Sequence, residues 1–144
     1  MNVTLAIDDA NDIVGGITSE LYPVSRCGLV TYMVVAPHAR DRGLGRQLLD
    51  EAARALYDAG ALAVLGEVND PRVHGESALP RLERFLRWGA QRIDVPYVQP
   101  SLGGGLPRDH GLCLIVLPPV PAVVEESTVR AFIDELYAAT EGRS

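Results

Sequence analysis

The segment Arg40-Asp41-Arg42-Gly43-Leu44-Gly45-Arg46 decides how this chain folds and what it can bind. It follows an apolar run, Leu29 to Val35, and opens a helix of apolar periodicity that ends near Asp58. The two glycines accept backbone angles that other residues resist, and they let an anion approach the main chain. The first amides of the helix lack intrahelical partners and lie at the positive end of its dipole. Since the arginines add bidentate donors, the segment predicts a pyrophosphate site.

The spacing of this segment excludes two common kinds of phosphate site. A Walker A loop needs a lysine followed by Ser or Thr, and the chain contains no lysine. A dinucleotide-binding fingerprint needs a third small residue where this chain has Leu48. What remains is the pattern Arg-x-x-Gly-x-Gly between a strand and a helix.

The composition is that of an ordinary globular domain. With 144 residues, 47% hydrophobic and 22% charged, the chain is long enough for one domain with a proper core. A net charge of -6 argues against a nucleic-acid binder and leaves cationic acceptors such as amines open. The apolar stretches fall short of the roughly 18 residues that a membrane span requires. Two cysteines without a disulfide pattern favour a reducing compartment, so we expect a cytoplasmic protein.

Alternation and turn residues predict six strands and three main helices. The strands are expected at Val3–Ile7, Ile13–Tyr22, Cys27–Val35, Leu62–Val68, Arg92–Val98 and Leu112–Leu117. The helices are expected at about Leu44–Asp58, Leu79–Gly89 and Ser127–Thr140. Short turns join the first three strands into an antiparallel meander, and a right-handed crossover makes the third and fourth strands parallel. The fold class is therefore α/β, with a mixed sheet.

The glycine-arginine segment in this setting resembles the acetyl-coenzyme A signature of the GNAT superfamily of N-acetyltransferases, and the resemblance runs from about Val3 to about Pro118. It implies a single GNAT-like domain over residues 1–144, with a mostly antiparallel sheet whose one parallel strand pair splays apart. It also implies acetyl-CoA as cosubstrate, its pyrophosphate on the loop amides and its pantetheine arm along the preceding strand. The implied cofactor-binding residues are Met33, Val34, Val35, Arg40, Arg42, Gly43, Leu44, Gly45, Arg46 and Asn69.

Two polar residues near the end of the fourth strand have alternative interpretations. Asn69 matches a superfamily position that contacts the cofactor arm, but Asn-Asp-Pro is also a strong turn signal. Glu67 is the best carboxylate for the general base that deprotonates an attacking amine, or else an ordinary polar residue at a strand end. His74 and His110 have no second ligand at metal-like spacing, so no metal site is expected.

The clearest departure from the superfamily is Phe85. It stands four residues before Gly89, where the superfamily has a tyrosine that protonates the departing thiolate, and a phenyl ring cannot donate a proton. Tyr97 or Tyr32 is the substitute to consider, although each also fits a packing residue with a satisfied hydroxyl. A coenzyme A thiolate is also a tolerable leaving group, so that water could suffice as the acid.

The second departure is that only Met1 and Asn2 precede what resembles the superfamily's second strand. The acceptor pocket is then completed by another subunit, as in a homodimer, or by the C-terminal helix, or the chain is a trimmed version. The leading hypothesis is an N-acetyltransferase that transfers an acetyl group from acetyl-CoA to a primary amine, on a small molecule or a peptide, by direct attack. A non-catalytic acyl-CoA sensor and a different phosphate-ligand protein with a similar turn are the alternatives.

Overall fold

The computed structural model describes residues 1–142 and has an α/β fold around one mixed sheet. Its strands are β1 (Asn2–Ile7), β2 (Ile13–Tyr22), β3 (Cys27–Val35), β4 (Ala63–Asn69), β5 (Gln91–Arg92) and β6 (Leu112–Val116). Its helices are α1 (Leu44–Asp58), α2 (Pro71–His74), α3 (Leu79–Arg87) and α4 (Glu126–Thr140), with 3-10 turns at Pro37–Ala39 and Glu76–Ala78. None of these helices is long and apolar enough to cross a bilayer.

The sheet has the strand order β1-β2-β3-β4-β6-β5 and confirms the predicted fold class. The first three strands form the antiparallel meander, and β3 pairs with β4 in parallel. Helix α1 is the crossover between them, as a parallel pair requires. All other neighbouring strands are antiparallel, so the sheet formed by the described residues contains one parallel junction.

Helices cover both faces of this sheet. On one face, α1 packs its apolar stripe across β1 to β4 and α3 packs against β4 and β5, with Leu49 and Leu56 of α1 almost completely inaccessible. On the other face α4 packs through Phe132, which stacks edge-to-face on Tyr22 with ring centroids 5.5 Å apart. Side chains alternate along β4, so Val68 belongs to the α1 face while Ala63 and Leu65 belong to the α4 face.

A β-bulge in β3 opens the sheet at its parallel junction. Thr18 pairs with Tyr32 and Ser19 with Val30, so Thr31 is an extra residue with no partner of its own on β2. Its hydroxyl lies 2.7 Å from the Thr18 hydroxyl and within 3.3 Å of the Thr18 carbonyl, which holds the bulge in place. Pairing with β4 stops just before it, at Val30 and Gly66. Both strands continue beyond that point, and the predicted splay is confirmed.

The strand expected at Arg92–Val98 is wrong beyond its first residue. Strand β5 covers only Gln91–Arg92, although Ile93 still donates a backbone hydrogen bond to Leu114, at 3.0 Å. Pro96 has no N–H to give to a ladder. The apolar residues of this stretch pack instead onto the α4 face of the sheet, as Val95 and Tyr97 do.

Candidate active site

The glycine-rich loop begins α1 with free backbone donors. Gly43 precedes the helix with φ 74°, a left-handed conformation that favours glycine, and a Cβ placed on it would meet no atom within 4 Å. The first helical hydrogen bond runs from Gln47 N–H to the Gly43 carbonyl, at 3.1 Å. The N–H groups of Leu44, Gly45 and Arg46 precede it and have no partner in residues 1–142. These donors face a position that an anion can reach.

The loop borders an open cleft of about 510 Å³ between the end of β3, the start of α1 and one face of α3. Gly45 leaves room on its floor, since a Cβ there would meet Trp88, Val35 and Met33 only at ordinary contact distances of 3.6 to 3.9 Å. The residues that line the cleft are Met33, Val34, Val35, Ala39, Arg40, Asp41, Gly43, Leu44, Gly45, Arg81, Arg84, Phe85 and Trp88.

Three arginines give this cleft its charge: Arg40, Arg81 and Arg84. None of them forms an ion pair within the part of the chain that the structure describes. The Arg40 side chain donates through Nε to the Val35 carbonyl at 3.1 Å, which fixes it beside the end of β3. Asp41 is the one acidic residue among those lining the cleft, so three arginines outnumber it there and favour an anionic ligand in a chain whose net charge is -6.

A smaller cavity of about 60 Å³ lies in the splay itself. Thr31 and Tyr32 of β3 line one side of it, and Gly66 and Glu67 of β4 line the other. Phe85 is buried and lines both this cavity and the cleft, so its ring forms the wall between them. The ring packs edge-to-face on Trp88, with centroids 5.4 Å apart.

Glu67 stands on the α4 side of the splay in a set of hydrogen bonds. The Tyr97 hydroxyl donates to its Oε2 at 2.5 Å, and Gln99 Nε2 donates to the same oxygen at 3.2 Å. Burial, followed by the charge and hydrogen bond of Glu67, raises the pKa of Tyr97, so its hydroxyl keeps its proton. Burial and the neighbouring carboxylates of Glu20, Glu67 and Glu135 raise the pKa of Tyr22 to about 12. The carboxylate is thus held by donors that do not titrate near neutral pH.

The structure brings most of the predicted site residues together. The end of β3, Arg40, Gly43, Leu44 and Gly45 line the cleft, and Glu67 and Tyr97 are hydrogen-bonded to each other across a separation of 30 residues. The side chains of Arg42 and Arg46 do not line the cleft, and Arg46 approaches Asp50 at 4.0 Å. Asn69 ends β4 opposite Leu112 and lines neither cavity, so its contact with the cofactor arm stays a prediction.

Sequence reasoning placed Phe85 of α3 at the site but missed the rest of that helix face. Arg81, Arg84, Phe85 and Trp88 follow the spacing i, i+3, i+4, i+7 and all line the cleft. Trp88 is expected from the sequence to lie in the core, and it packs against the core cluster from the cleft wall, where it is half-buried. Two arginines on the stripe of an otherwise apolar helix face were the signal that could have revealed it.

Comparison with known proteins agrees with this geometry. The family model described as Acetyltransferase (GNAT) family matches residues 2–75, and no curated protein matches the chain. Among solved structures, a protein of Bacteroides thetaiotaomicron assigned to the GNAT family of acetyltransferases superposes with a TM-score of 0.74. It is 21% identical, and the match covers 99% of this chain and 73% of that one.

Two further structures are similar over less of their length. Nourseothricin acetyltransferase has a TM-score of 0.61 at 21% identity, with 83% of this chain and 65% of that chain covered. A protein of Bacillus anthracis strain Ames assigned as a streptothricin acetyltransferase, solved with acetyl-coenzyme A, has a TM-score of 0.57 at 16% identity. That match covers 80% of this chain and 60% of the other.

The matched family model spans more than half of the chain, and the chain belongs to the GNAT family of acetyltransferases. It is therefore an acetyl-CoA-dependent acyltransferase, with acetyl-CoA as its cosubstrate. The residues present fit that molecule. The unbonded amides of the loop and the unpaired arginines suit its phosphates, and the splayed strands leave an opening beside them.

Proposed function

We propose that this protein transfers the acetyl group of acetyl-CoA to a primary amine by direct attack of the amine on the thioester. The observation that carries the proposal is the junction of the basic cleft with the splay that holds Glu67, because it joins an anion site to a carboxylate through an opening in the sheet. Acetyl-CoA supplies an activated acetyl thioester. Bringing the two reactants together in the splay is the main source of rate acceleration.

On the α1 side, we infer that the chain's role is binding. The N–H groups of Leu44, Gly45 and Arg46 donate to the pyrophosphate, with Arg40 and Arg84 as charged neighbours at the cleft wall. The free edge of β3 beyond Val30 offers main-chain partners to the pantetheine arm. These interactions orient the thioester toward the splay.

On the α4 side, we infer that Glu67 accepts the proton of the attacking ammonium, directly or through one water. Tyr97 and Gln99 both donate to Oε2 and so hold the carboxylate in one orientation, leaving Oε1 for the acceptor. The sequence also offers Tyr97 as a proton donor for the leaving group. Because its hydroxyl is directed to Glu67, we assign it the positioning role instead.

The acceptor enters, in this proposal, from the sheet face that carries α4. The side chain of Glu67 lies on that face, and α4 packs there against Tyr22 and Leu29. Of the expected ways to complete the acceptor pocket, the C-terminal helix is the one this packing supports. A homodimer and the identity of the amine remain predictions.

One observation favours a second candidate, a non-catalytic acyl-CoA sensor. Phe85 is buried at the wall between cleft and splay, where a tyrosine would supply a proton, and it cannot do so. A sensor needs the cleft but not the acid. The two candidates therefore share a binding site and differ in turnover.

Two measurements on the full chain separate these candidates. Calorimetric titration with acetyl-CoA tests binding, and release of free thiol in the presence of amines, amino acids, peptides or polyamines tests transfer. Binding with thiol release that depends on the amine supports the acetyltransferase. Binding without turnover on any acceptor favours the sensor, and no binding at millimolar acetyl-CoA overturns both.

A further inference from the structure

Arg81 occupies the junction of the two cavities. It lines the cleft together with the loop residue Gly43, and it also lines the splay cavity together with Glu67. Its guanidinium carbon lies 5.7 Å from the centroid of the Phe85 ring, within the range of a cation–π contact. The cation is therefore held over the residue that replaces the expected proton donor.

The charge of Arg81 is not neutralised by the protein. The helix face it shares with Arg84 carries no carboxylate, and no ion pair to Arg81 is found in residues 1–142. The other charged or titratable residues that line the two cavities are Arg40, Asp41, Glu67 and Tyr32. Glu67 is already engaged by Tyr97 and Gln99, so Arg81 is the cation of the splay that has no anionic partner.

We propose that Arg81 is a catalytic residue that stabilises the departing coenzyme A thiolate, in place of the proton donor that Phe85 cannot be. The inference rests on the proposed acetyl transfer and deepens it. The amine nitrogen forms a bond to the thioester carbonyl carbon, and the carbon–sulfur bond breaks with its electron pair on sulfur. The proton of the amine leaves through Glu67 to solvent. The thiolate pairs with the guanidinium until water protonates it.

Stabilising the thiolate has a consequence for the ionisation of the coenzyme A thiol that phosphate binding alone does not have. A cation that faces the sulfur favours the thiolate over the thiol whenever coenzyme A is bound, with or without an acceptor. A cation that faces only the phosphates changes the affinity and leaves the thiol unaffected. The ionisation of the bound thiol therefore separates the two roles, and no acceptor is needed to measure it.

The test is an ultraviolet titration of free coenzyme A bound to the full chain, with absorbance of the thiolate followed against pH. The complex with desulfo-coenzyme A is the reference and removes the protein's own signal. Burial raises the pKa of the Cys27 and Cys113 thiols, so neither contributes at lower pH. We expect the pKa of the bound thiol to lie about one unit or more below that of free coenzyme A, a roughly tenfold rise in thiolate fraction.

Variants of α3 assign the effect. Arg81→Met should return the pKa of the bound thiol to the value for free coenzyme A, and Arg81→Lys should keep most of the decrease. Arg87→Met is the matched control, since it removes the same charge from the same helix but lines neither cavity. Arg84→Met should weaken coenzyme A binding and leave the pKa of the thiol unchanged. Should Arg81→Met fail to fold by circular dichroism, Arg81→Gln is measured instead.

The failures of the two proposals are distinguishable. If coenzyme A does not bind at all, the proposed function itself is overturned. If it binds and its thiol pKa equals that of free coenzyme A, or is the same in wild type and Arg81→Met, the role of Arg81 is overturned while binding stands. If Arg87→Met also abolishes the decrease in the pKa of the bound thiol, the decrease is a general effect of the helix charges. That result would equally overturn the assignment to Arg81.

Discussion

The two sides of the splayed sheet differ in whether their charged side chains have partners within the protein. On the α1 and α3 side, arginines line an open cleft, and none of them forms an ion pair with a carboxylate of residues 1–142. On the α4 side, the carboxylate of Glu67 accepts hydrogen bonds from Tyr97 and Gln99 and lies near the hydroxyl of Tyr22. The arginines of the first side therefore depend on a ligand for anionic partners, whereas Glu67 on the second side already has hydrogen-bond donors within the protein.

This difference teaches how one opening can serve two reactants of opposite charge. Phosphates and an ammonium would neutralise one another if they shared a pocket. Here the sheet separates the anion site from the carboxylate, and the splay connects them. Each variant below changes the charge or the bonding of one side and leaves the other side intact.

The largest effect is expected from a negative charge in the loop. Gly43→Asp should weaken coenzyme A binding at least about 100-fold by calorimetry, since like charges about 4 Å apart repel by about 4 kcal/mol at an effective dielectric constant of about 20. Gly43→Asn has the same shape without the charge and should cost at most about tenfold. Gly104→Asp adds the same charge in a distant loop with open space around it. Equal losses in the Asp and Asn variants would mean that backbone strain, not charge, decides binding.

Removing the charge on the other side should affect turnover and not affinity. With any amine that supports thiol release in the assay described above, Glu67→Gln should lower kcat about 100-fold, because a general base contributes about 100-fold or more. The Kd of acetyl-CoA should change less than about twofold, since the carboxylate does not line the cleft. Glu51→Gln, which breaks an exposed pair with Arg54 on α1, is the control. An unchanged kcat would remove Glu67 from the mechanism.

A third variant tests whether the α4 side is satisfied internally. Tyr97→Phe should lower the free energy of unfolding by about 1 to 2 kcal/mol in urea denaturation, because a hydrogen bond to a carboxylate is lost. The pKa of Tyr97 is raised in the folded protein, so its contribution is complete below the ordinary tyrosine value of about 10 and falls only as pH rises above it. The deficit should therefore be constant between about pH 6 and about pH 9.

Tyr32→Phe provides the matched control for that measurement. Its hydroxyl belongs to an exposed side chain, so the free energy of unfolding should stay within about 0.5 kcal/mol of the wild-type value. A deficit in Tyr97→Phe that grows between pH 6 and pH 8 would contradict the assignment of its proton to Glu67.

The smallest effect concerns the edge of the basic side. Arg46 Nε lies 4.0 Å from Asp50 Oδ2 in an exposed pair, which is worth little to stability. Asp50→Asn should tighten coenzyme A binding about twofold at low salt and leave it unchanged at high salt, where screening removes the effect. Asp58→Asn, at the far end of α1, should leave coenzyme A binding unchanged at both salt concentrations. If both variants bind coenzyme A more tightly, the cause is the net charge of the protein and not the Arg46–Asp50 pair.

Sequence reasoning succeeded where the determinants are local. The meander strands follow alternation between clear turns, and the start of α1 follows from Gly43 and the arginines around it. The parallel junction needed only the rule that a crossover helix joins parallel strands. These features depend on residues close together in the chain, so a pattern reveals them.

It failed where packing or distant contacts decide. Ile93, Val95 and Tyr97 alternate as a strand would, but they cover the α4 face from outside the sheet, and Pro96 prevents regular pairing. The bond between Glu67 and Tyr97 crosses 30 residues that no spacing rule connects. The role of α3 in the cleft depended on which face of the helix points to the loop, and only the folded chain determines that.

The bulge at Thr31 makes the opening of the sheet a matter of one inserted residue. In engineering terms it is a single-codon device, because a bulge sets two residues of one strand against one of its partner, and Val30, Met33 and Val35 keep the α1 face on either side of the insertion. A chain without Thr31 would keep Met33 and Val35 on the α1 face, opposite Ile17 and Gly15, and would lose the local bend at which β3 stops pairing with β4. The passage through which the two reactants meet is thus encoded separately from the loop, and can be gained or lost without touching a single charged group.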